Sequence, residues 1–137
     1  MAKRGGGQYR IFFSHAHKDR WIALQCAPLI EERGKGRVRV FLDEKDIEAG
    51  QHIGDSIRNS IKECDEFVVL LSRYSKDRPW VLLEIGAAWG LEKLIVGTTN
   101  NIEPREMPDI MYPYKAVDLN DFDQYSAQLL KRAAVRR

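Results

Sequence analysis

The chain has 137 residues, of which 44% are hydrophobic and 31% are charged, and its formal net charge is +2 at pH 7. This length and composition predict one globular domain, and the apolar runs are far shorter than the roughly 18 residues that a membrane span needs. Seven of the 22 basic residues lie in the first ten and last seven positions, so residues 11–130 carry a net charge of −5, which argues against a nucleic-acid-binding stripe.

Short β-like runs alternate with helical patterns along the chain. Residues 1–8 are predicted to form a flexible basic tail, residues 9–133 the domain, and residues 134–137 a second basic tail. Within the domain we predict, in order, strand Tyr9–Phe13, a helix over Asp19–Gly34 with Asp19 as its N-cap, strand Val38–Leu42, a polar loop from Glu44 to Gly54, helix Asp55–Cys64, strand Glu66–Ser72, a helix opened by Pro79 and running to Gly90, strand Leu94–Thr98, a proline-containing loop, strand Tyr114–Val117 and a helix over Asp121–Ala134.

Five units of strand followed by helix predict an α/β fold with a parallel sheet covered by helices on both faces. At this length the expected arrangement is a flavodoxin-like five-stranded parallel sheet with strand order 2-1-3-4-5. Ligands of such folds bind at the carboxyl ends of the strands, where the strand order reverses between strands 1 and 3.

Polar side chains follow the predicted strands at this crevice. Ser14 and His15 follow strand 1, Asp43 follows strand 2 and Ser72 ends strand 3. Because the carboxyl ends of parallel strands meet at one edge of the sheet, these side chains are expected to converge. They are therefore the candidate ligand-binding groups.

Glu84 interrupts an apolar run in the helix after strand 3, and Trp80 lies one helical turn before it on the same face. Burying an unpaired carboxylate costs about 3–5 kcal/mol, so its presence requires a reason. One interpretation is a partly desolvated carboxylate that faces a cationic or polyhydroxyl ligand. The other is a structural residue paired with Arg78 or Arg73.

Metal and disulfide chemistry find little support. His15 and His17 form a His-x-His pair after a strand, but His52 is the only other histidine, so no metal site is predicted. Cys26 and Cys64 belong to no Cys-x-x-Cys pair, which favours a reducing, cytoplasmic setting.

Three segments in order resemble the motifs of the Toll/interleukin-1 receptor (TIR) domain family, in its bacterial form. They are RIFFSHAHKD, VFLDEKDIEAGQHIGDSIRNSI and FVVLLSRYSKDRPWVLLEI, and the likeness extends over about residues 9–133. His15 departs from the family pattern, since many members have Tyr there.

The resemblance implies an NAD+ glycohydrolase or cyclase, because enzymatic members of the family split the bond between nicotinamide and ribose. It implies NAD+ as substrate, no separate cofactor, and the Glu of Trp-x-x-x-Glu, here Glu84, as the catalytic residue. The implied substrate-binding residues are Trp80, Phe12, Ser14, His15, Asp43 and Ser72.

The resemblance also implies partners. The loop from Glu44 to Ile53, with Asp46 and Gly50, corresponds to the loop through which TIR domains self-associate, and a sensor protein or fused domain is a further expected partner. An immune or self-destruct signalling role follows, anti-phage defence included. Two alternatives stay open, which are a non-catalytic module that scaffolds signalling and a nucleoside-processing enzyme of similar fold.

Overall fold

Five strands and four α-helices alternate along the chain in a computed structural model that describes residues 7–42 and 53–136. They are β1 (Tyr9–Ser14), α1 (Arg20–Gly34), β2 (Val38–Leu42), α2 (Ile53–Glu63), β3 (Glu66–Leu71), α3 (Pro79–Gly90), β4 (Leu94–Thr99), β5 (Ala116–Asp118) and α4 (Phe122–Arg136). None of the helices in these two ranges is both long and apolar enough to cross a membrane.

The strands form one sheet in the order β2-β1-β3-β4-β5, and all four pairings between neighbours are parallel. The predicted fold class and strand order are therefore confirmed. The register places Ser14, the last residue of β1, beside Val69 of β3. The order reverses between these two strands, so the carboxyl end of β1 lies at the expected crevice.

Two core layers cover the sheet, one on each face. The helices α2 and α3 pack on the face that carries Phe12, Phe67, Val69 and Leu71. The helices α1 and α4 pack on the opposite face. All six residues of β3 are buried, as its continuous apolar run predicts for a central strand covered on both sides.

Several helix and strand boundaries lie one or two residues from their predicted positions. The fifth strand is shorter and later than predicted, because only Ala116–Asp118 pairs with β4. A short 3₁₀ turn, His17–Asp19, precedes α1, and Asp19 occupies the predicted N-cap position, although its side chain makes no capping hydrogen bond. The reason is tertiary, since the Asp19 carboxylate instead accepts a hydrogen bond from Ser72 Oγ.

A buried carboxylate links β1, β3 and α4 at the amino edge of the sheet. Glu66 is fully buried at the start of β3 and accepts hydrogen bonds from Tyr9 Oη at 2.8 Å and Tyr125 Oη at 2.7 Å. Arg132 of α4 completes the set with Nε at 2.8 Å and Nη2 at 3.0 Å. Burial and the Glu66 charge raise the pKa of both tyrosines, so both hydroxyls stay protonated as donors.

The open edge of β2 is partly closed by a side chain from α1. The backbone N–H of Val40 donates to Glu31 Oε2 at 2.8 Å. Arg39 Nε lies 3.9 Å from the same oxygen. An N–H group that would otherwise face solvent at the sheet edge therefore has a charged acceptor.

Candidate functional site

Glu84 lies on the core face of α3. Pro79 occupies the first turn of this helix, and the residues that α3 buries are Val81, Glu84, Ile85 and Ala88, at the spacing of one helical face. The helical period therefore directs the carboxylate toward the sheet, although its neighbours are apolar. Glu84 is 1% exposed, so it is more deeply buried than the partial desolvation expected from the sequence.

The carboxylate of Glu84 meets the end of β1. Ser14 Oγ donates to Glu84 Oε1 at 2.6 Å, and the Ser14 side chain is itself fully buried. A hydrogen bond to a charged acceptor contributes about 1.5–3 kcal/mol, roughly twice a neutral one, and it fixes the orientation of the carboxylate. The structure therefore joins two of the predicted site residues across 70 positions of sequence.

The aromatic candidates divide by burial. Trp80, one helical turn before Glu84, is only partly buried and packs against the α2–α3 core. Phe12 has no exposed surface, because its ring stacks on Phe67 at 5.5 Å and tilts against Phe41 at 5.3 Å. Trp80 therefore has exposed surface that a ligand could contact, whereas Phe12 has none and is a core residue rather than a direct substrate contact.

His15 follows Ser14 directly and is 5% exposed, with its ring centroid 6.5 Å from that of Phe13. It lies at the same carboxyl edge as Ser14, as predicted. The other candidates in the chain after β2, Asp43, Asp46 and Gly50, lie outside the described residues.

The Ser72 hydroxyl is engaged in a buried network. It donates to Asp19 Oδ2 at 2.5 Å and accepts from the backbone N–H of Tyr74 at 3.0 Å. Ser75 Oγ accepts from Ser72 N–H at 2.9 Å and donates to the carbonyl of Leu70 at 2.7 Å. This network holds the turn that leads from β3 to α3, and hence positions the helix that carries Glu84.

Two features of this edge were missed by sequence reasoning. The first is the bond between Asp19 and Ser72, which no local pattern signals because 53 positions separate the residues. The second is the ring of Tyr74, which both Lys18 and Arg73 contact. In the two described ranges, no group of three or more His, Cys, Asp or Glu side chains is arranged to hold a metal ion.

Comparison with known proteins identifies the family. The family model described as TIR domain matches residues 11–132. The chain belongs to the TIR domain family. A curated relative of this TIR domain is the NAD(+) hydrolase TcpC of Escherichia coli O6:H1 (strain CFT073), which is 24% identical over 112 residues. That match covers 78% of this chain and 36% of the relative, so the chain spans about a third of that protein's length.

Solved structures share the fold of this TIR domain. The TIR domain of the Toll-related receptor TRR-2 from Hydra magnipapillata superposes with a TM-score of 0.70 at 18% identity, and the match covers 93% of this chain and 99% of that one. The CMP N-glycosidase BcmB of Clostridium botulinum gives 0.59 at 18% identity, covering 88% and 97% respectively. At such identities these likenesses show a common fold.

Proposed function

We propose that this TIR domain cleaves the nicotinamide–ribose bond of NAD+, as a glycohydrolase or cyclase, with Glu84 as the catalytic residue. The observation that carries the proposal is the buried Glu84 carboxylate, held by Ser14 Oγ at 2.6 Å at the carboxyl end of β1. The curated relative TcpC, which is named an NAD(+) hydrolase, supports the same reaction class.

One carboxylate is sufficient for this reaction. Glycosidases generally need a second carboxyl group to protonate a poor leaving group. The nicotinamide of NAD+ is a positively charged pyridinium, so it departs from the ribose as a neutral molecule and needs no proton. Positive charge then develops on the ribose. A preorganised carboxylate in a poorly solvated site stabilises that charge more than water does.

Ser14 contributes by orientation. Its hydroxyl holds Glu84 Oε1 in one place, so the carboxylate does not have to reorganise when charge develops on the sugar. Ser14 is the last residue of a central strand and is fully buried, which makes it a rigid support. It acts on the reaction through Glu84.

The remaining candidates are proposed to shape the substrate pocket. Trp80 is partly exposed one helical turn before Glu84, and it is proposed to stack on the flat nicotinamide ring. His15 and Asp43 are proposed to bind ribose or phosphate-side groups. Ser72 is proposed to act by holding the turn before α3.

We further propose that the loop from Glu44 to Ile53, with Asp46 and Gly50, mediates self-association of TIR domains in cytoplasmic immune or anti-phage signalling, in response to a sensor protein or fused domain. If assembly completes the site, turnover per molecule rises with protein concentration, and Gly50→Ala or Asp46→Ala lowers it. A constant turnover from a species that stays monomeric would contradict this.

The decisive experiment measures nicotinamide release from NAD+ by the purified protein, by Glu84→Gln, and by the matched control Glu32→Gln, which removes an exposed carboxylate from α1. We expect release by the parent and the control and near-complete loss in Glu84→Gln. Chromatography then separates ADP-ribose from a cyclic product. Absence of release over a range of protein concentrations would favour the non-catalytic scaffold instead, and CMP as a second substrate tests the nucleoside-processing alternative.

A further inference from the structure

Two cations lie against one exposed aromatic ring at the rim of the site. Lys18 Nζ is 5.4 Å from the centroid of the Tyr74 ring, and Arg73 Cζ is 5.0 Å from it. Arg73 Nη2 also donates to Tyr74 Oη at 3.0 Å. We call Lys18, Arg73 and Tyr74 the Tyr74 cluster.

The Tyr74 cluster bridges the point at which the strand order reverses. Lys18 follows Ser14, the end of β1, by four residues, and Tyr74 follows Leu71, the end of β3, by three. A chain of four residues spans at most about 14 Å, so the backbone of Lys18 in the cluster lies within that distance of the backbone of Ser14 in the Ser14–Glu84 pair. Both therefore belong to the crevice where this fold binds ligands.

Buried hydrogen bonds hold the cluster in place. Asp19, which follows Lys18, and Ser72, which precedes Arg73, are each 2% exposed and bond to each other at 2.5 Å. The Tyr74 N–H donates to the same Ser72 hydroxyl. The two loops, and with them the two cations, are thus fixed by a buried network rather than by the surface side chains themselves.

The two cations of the cluster have no carboxylate partner among residues 7–42 and 53–136. Within the described residues, neither Lys18 nor Arg73 takes part in an ion pair. The flanking segments 17–20 and 73–78 add three further cations, Arg20, Lys76 and Arg78, against one exposed acid, Asp77, which pairs with Lys76 at 3.1 Å. A positive rim on a body that is otherwise acidic attracts anions to this edge.

We propose that the Tyr74 cluster is a diphosphate-binding site that holds the dinucleotide while Glu84 acts on its ribose. The inference rests on the proposed function. An arginine fork and a lysine point charge are the usual ligands of phosphate oxygens, and the Tyr74 hydroxyl adds a polar group beside Arg73. The diphosphate of NAD+ lies only a few bonds from the ribose carbon that loses nicotinamide, which matches the placement of the cluster beside the Ser14–Glu84 pair.

The test compares two substrates that share the scissile bond. NAD+ carries the diphosphate, and nicotinamide riboside carries no phosphate. In the double variant Lys18→Ala with Arg73→Ala, KM for NAD+ rises about tenfold to a hundredfold with a smaller change in kcat, while kcat/KM for the riboside is unchanged. The control double variant Arg37→Ala with Lys131→Ala removes the same charge from exposed positions near the amino edge of the sheet and leaves both substrates unaffected.

A binding measurement separates this proposal from the proposed function. ADP and inorganic diphosphate are titrated calorimetrically into the parent and both double variants, at low and high salt. Loss of ADP affinity in the cluster variant alone supports the site even if the parent releases no nicotinamide, in which case only the proposed function fails. Binding of inorganic diphosphate with the same variant dependence indicates recognition of the diphosphate itself, without the nucleoside. Equal losses with NAD+ and the riboside, or an ADP affinity equal to the parent's, would overturn the inference.

Discussion

Replacing Glu84 with Gln separates charge from shape at the centre of the site. Glutamine keeps the volume of the side chain and an oxygen that can still accept the Ser14 hydroxyl, but it carries no negative charge. If the carboxylate stabilises a ribosyl cation, kcat falls by about 10²–10³, as for the loss of one preorganised electrostatic group.

The stability of the same variant should move in the opposite sense to its activity. Glu84 is 1% exposed, and removing a buried charge relieves a desolvation penalty. Glu84→Gln therefore melts at or above the parent temperature. Glu84→Ala leaves Ser14 Oγ without its acceptor and opens a cavity, a cost of ~2 kcal/mol relative to Gln, which lowers Tm by roughly 6–10 °C at this chain length.

The assay records Tm and nicotinamide release on the same samples of parent, Glu84→Gln and Glu84→Ala. A Glu84→Gln protein that melts as the parent does and cleaves NAD+ at a near-parent rate would refute the catalytic role. If instead both variants melt well below the parent while the folded fraction keeps its activity, Glu84 is a structural residue.

Three further outcomes are expected. Ser14→Ala removes the donor to Glu84 and should lower kcat about tenfold or more, with KM less affected; a change in KM alone would contradict the positioning role. Arg132→Ala removes the cation that pairs with the buried Glu66 carboxylate and should lower the free energy of unfolding, measured in urea, by ~2–3 kcal/mol, a figure discounted for the partial exposure of Arg132. A loss under about 0.5 kcal/mol would show that the hydrogen bonds from the two tyrosines are enough to stabilise Glu66. Burial raises the pKa of Cys64 to about 11, so the contribution of its neutral thiol to stability is complete below pH 9 and is lost as pH rises through about 11. The thiol should therefore resist alkylation at about pH 8 until the protein unfolds, and rapid labelling of the native protein would contradict this.

The fold was predictable because its signals are local and repeated. The apolar run of β3 and the alternation of strands with helices determine a parallel sheet, and the four-residue spacing of Trp80 and Glu84 places both on one helical face. The convergence of Ser14 with Glu84 followed from the topology alone, since both lie at the edge where the strand order reverses.

What the sequence did not reveal depends on contacts between distant positions. Asp19 had the local pattern of an N-cap, but a partner 53 residues away, Ser72, takes its carboxylate. The depth at which Glu84 is buried, and the contact of Tyr74 with two cations, depend on how neighbouring loops pack. No periodicity or motif reports such packing.

The bond between Glu31 and Val40 limits how copies of this domain can join. A second chain that extended the sheet beside β2 would need the Val40 N–H that the Glu31 carboxylate already accepts, and it would bring its own backbone oxygens toward that negative charge. The addition of a strand from another chain at the β2 edge is therefore disfavoured. An assembly of these domains that kept this bond intact would have to use surfaces other than the β2 edge.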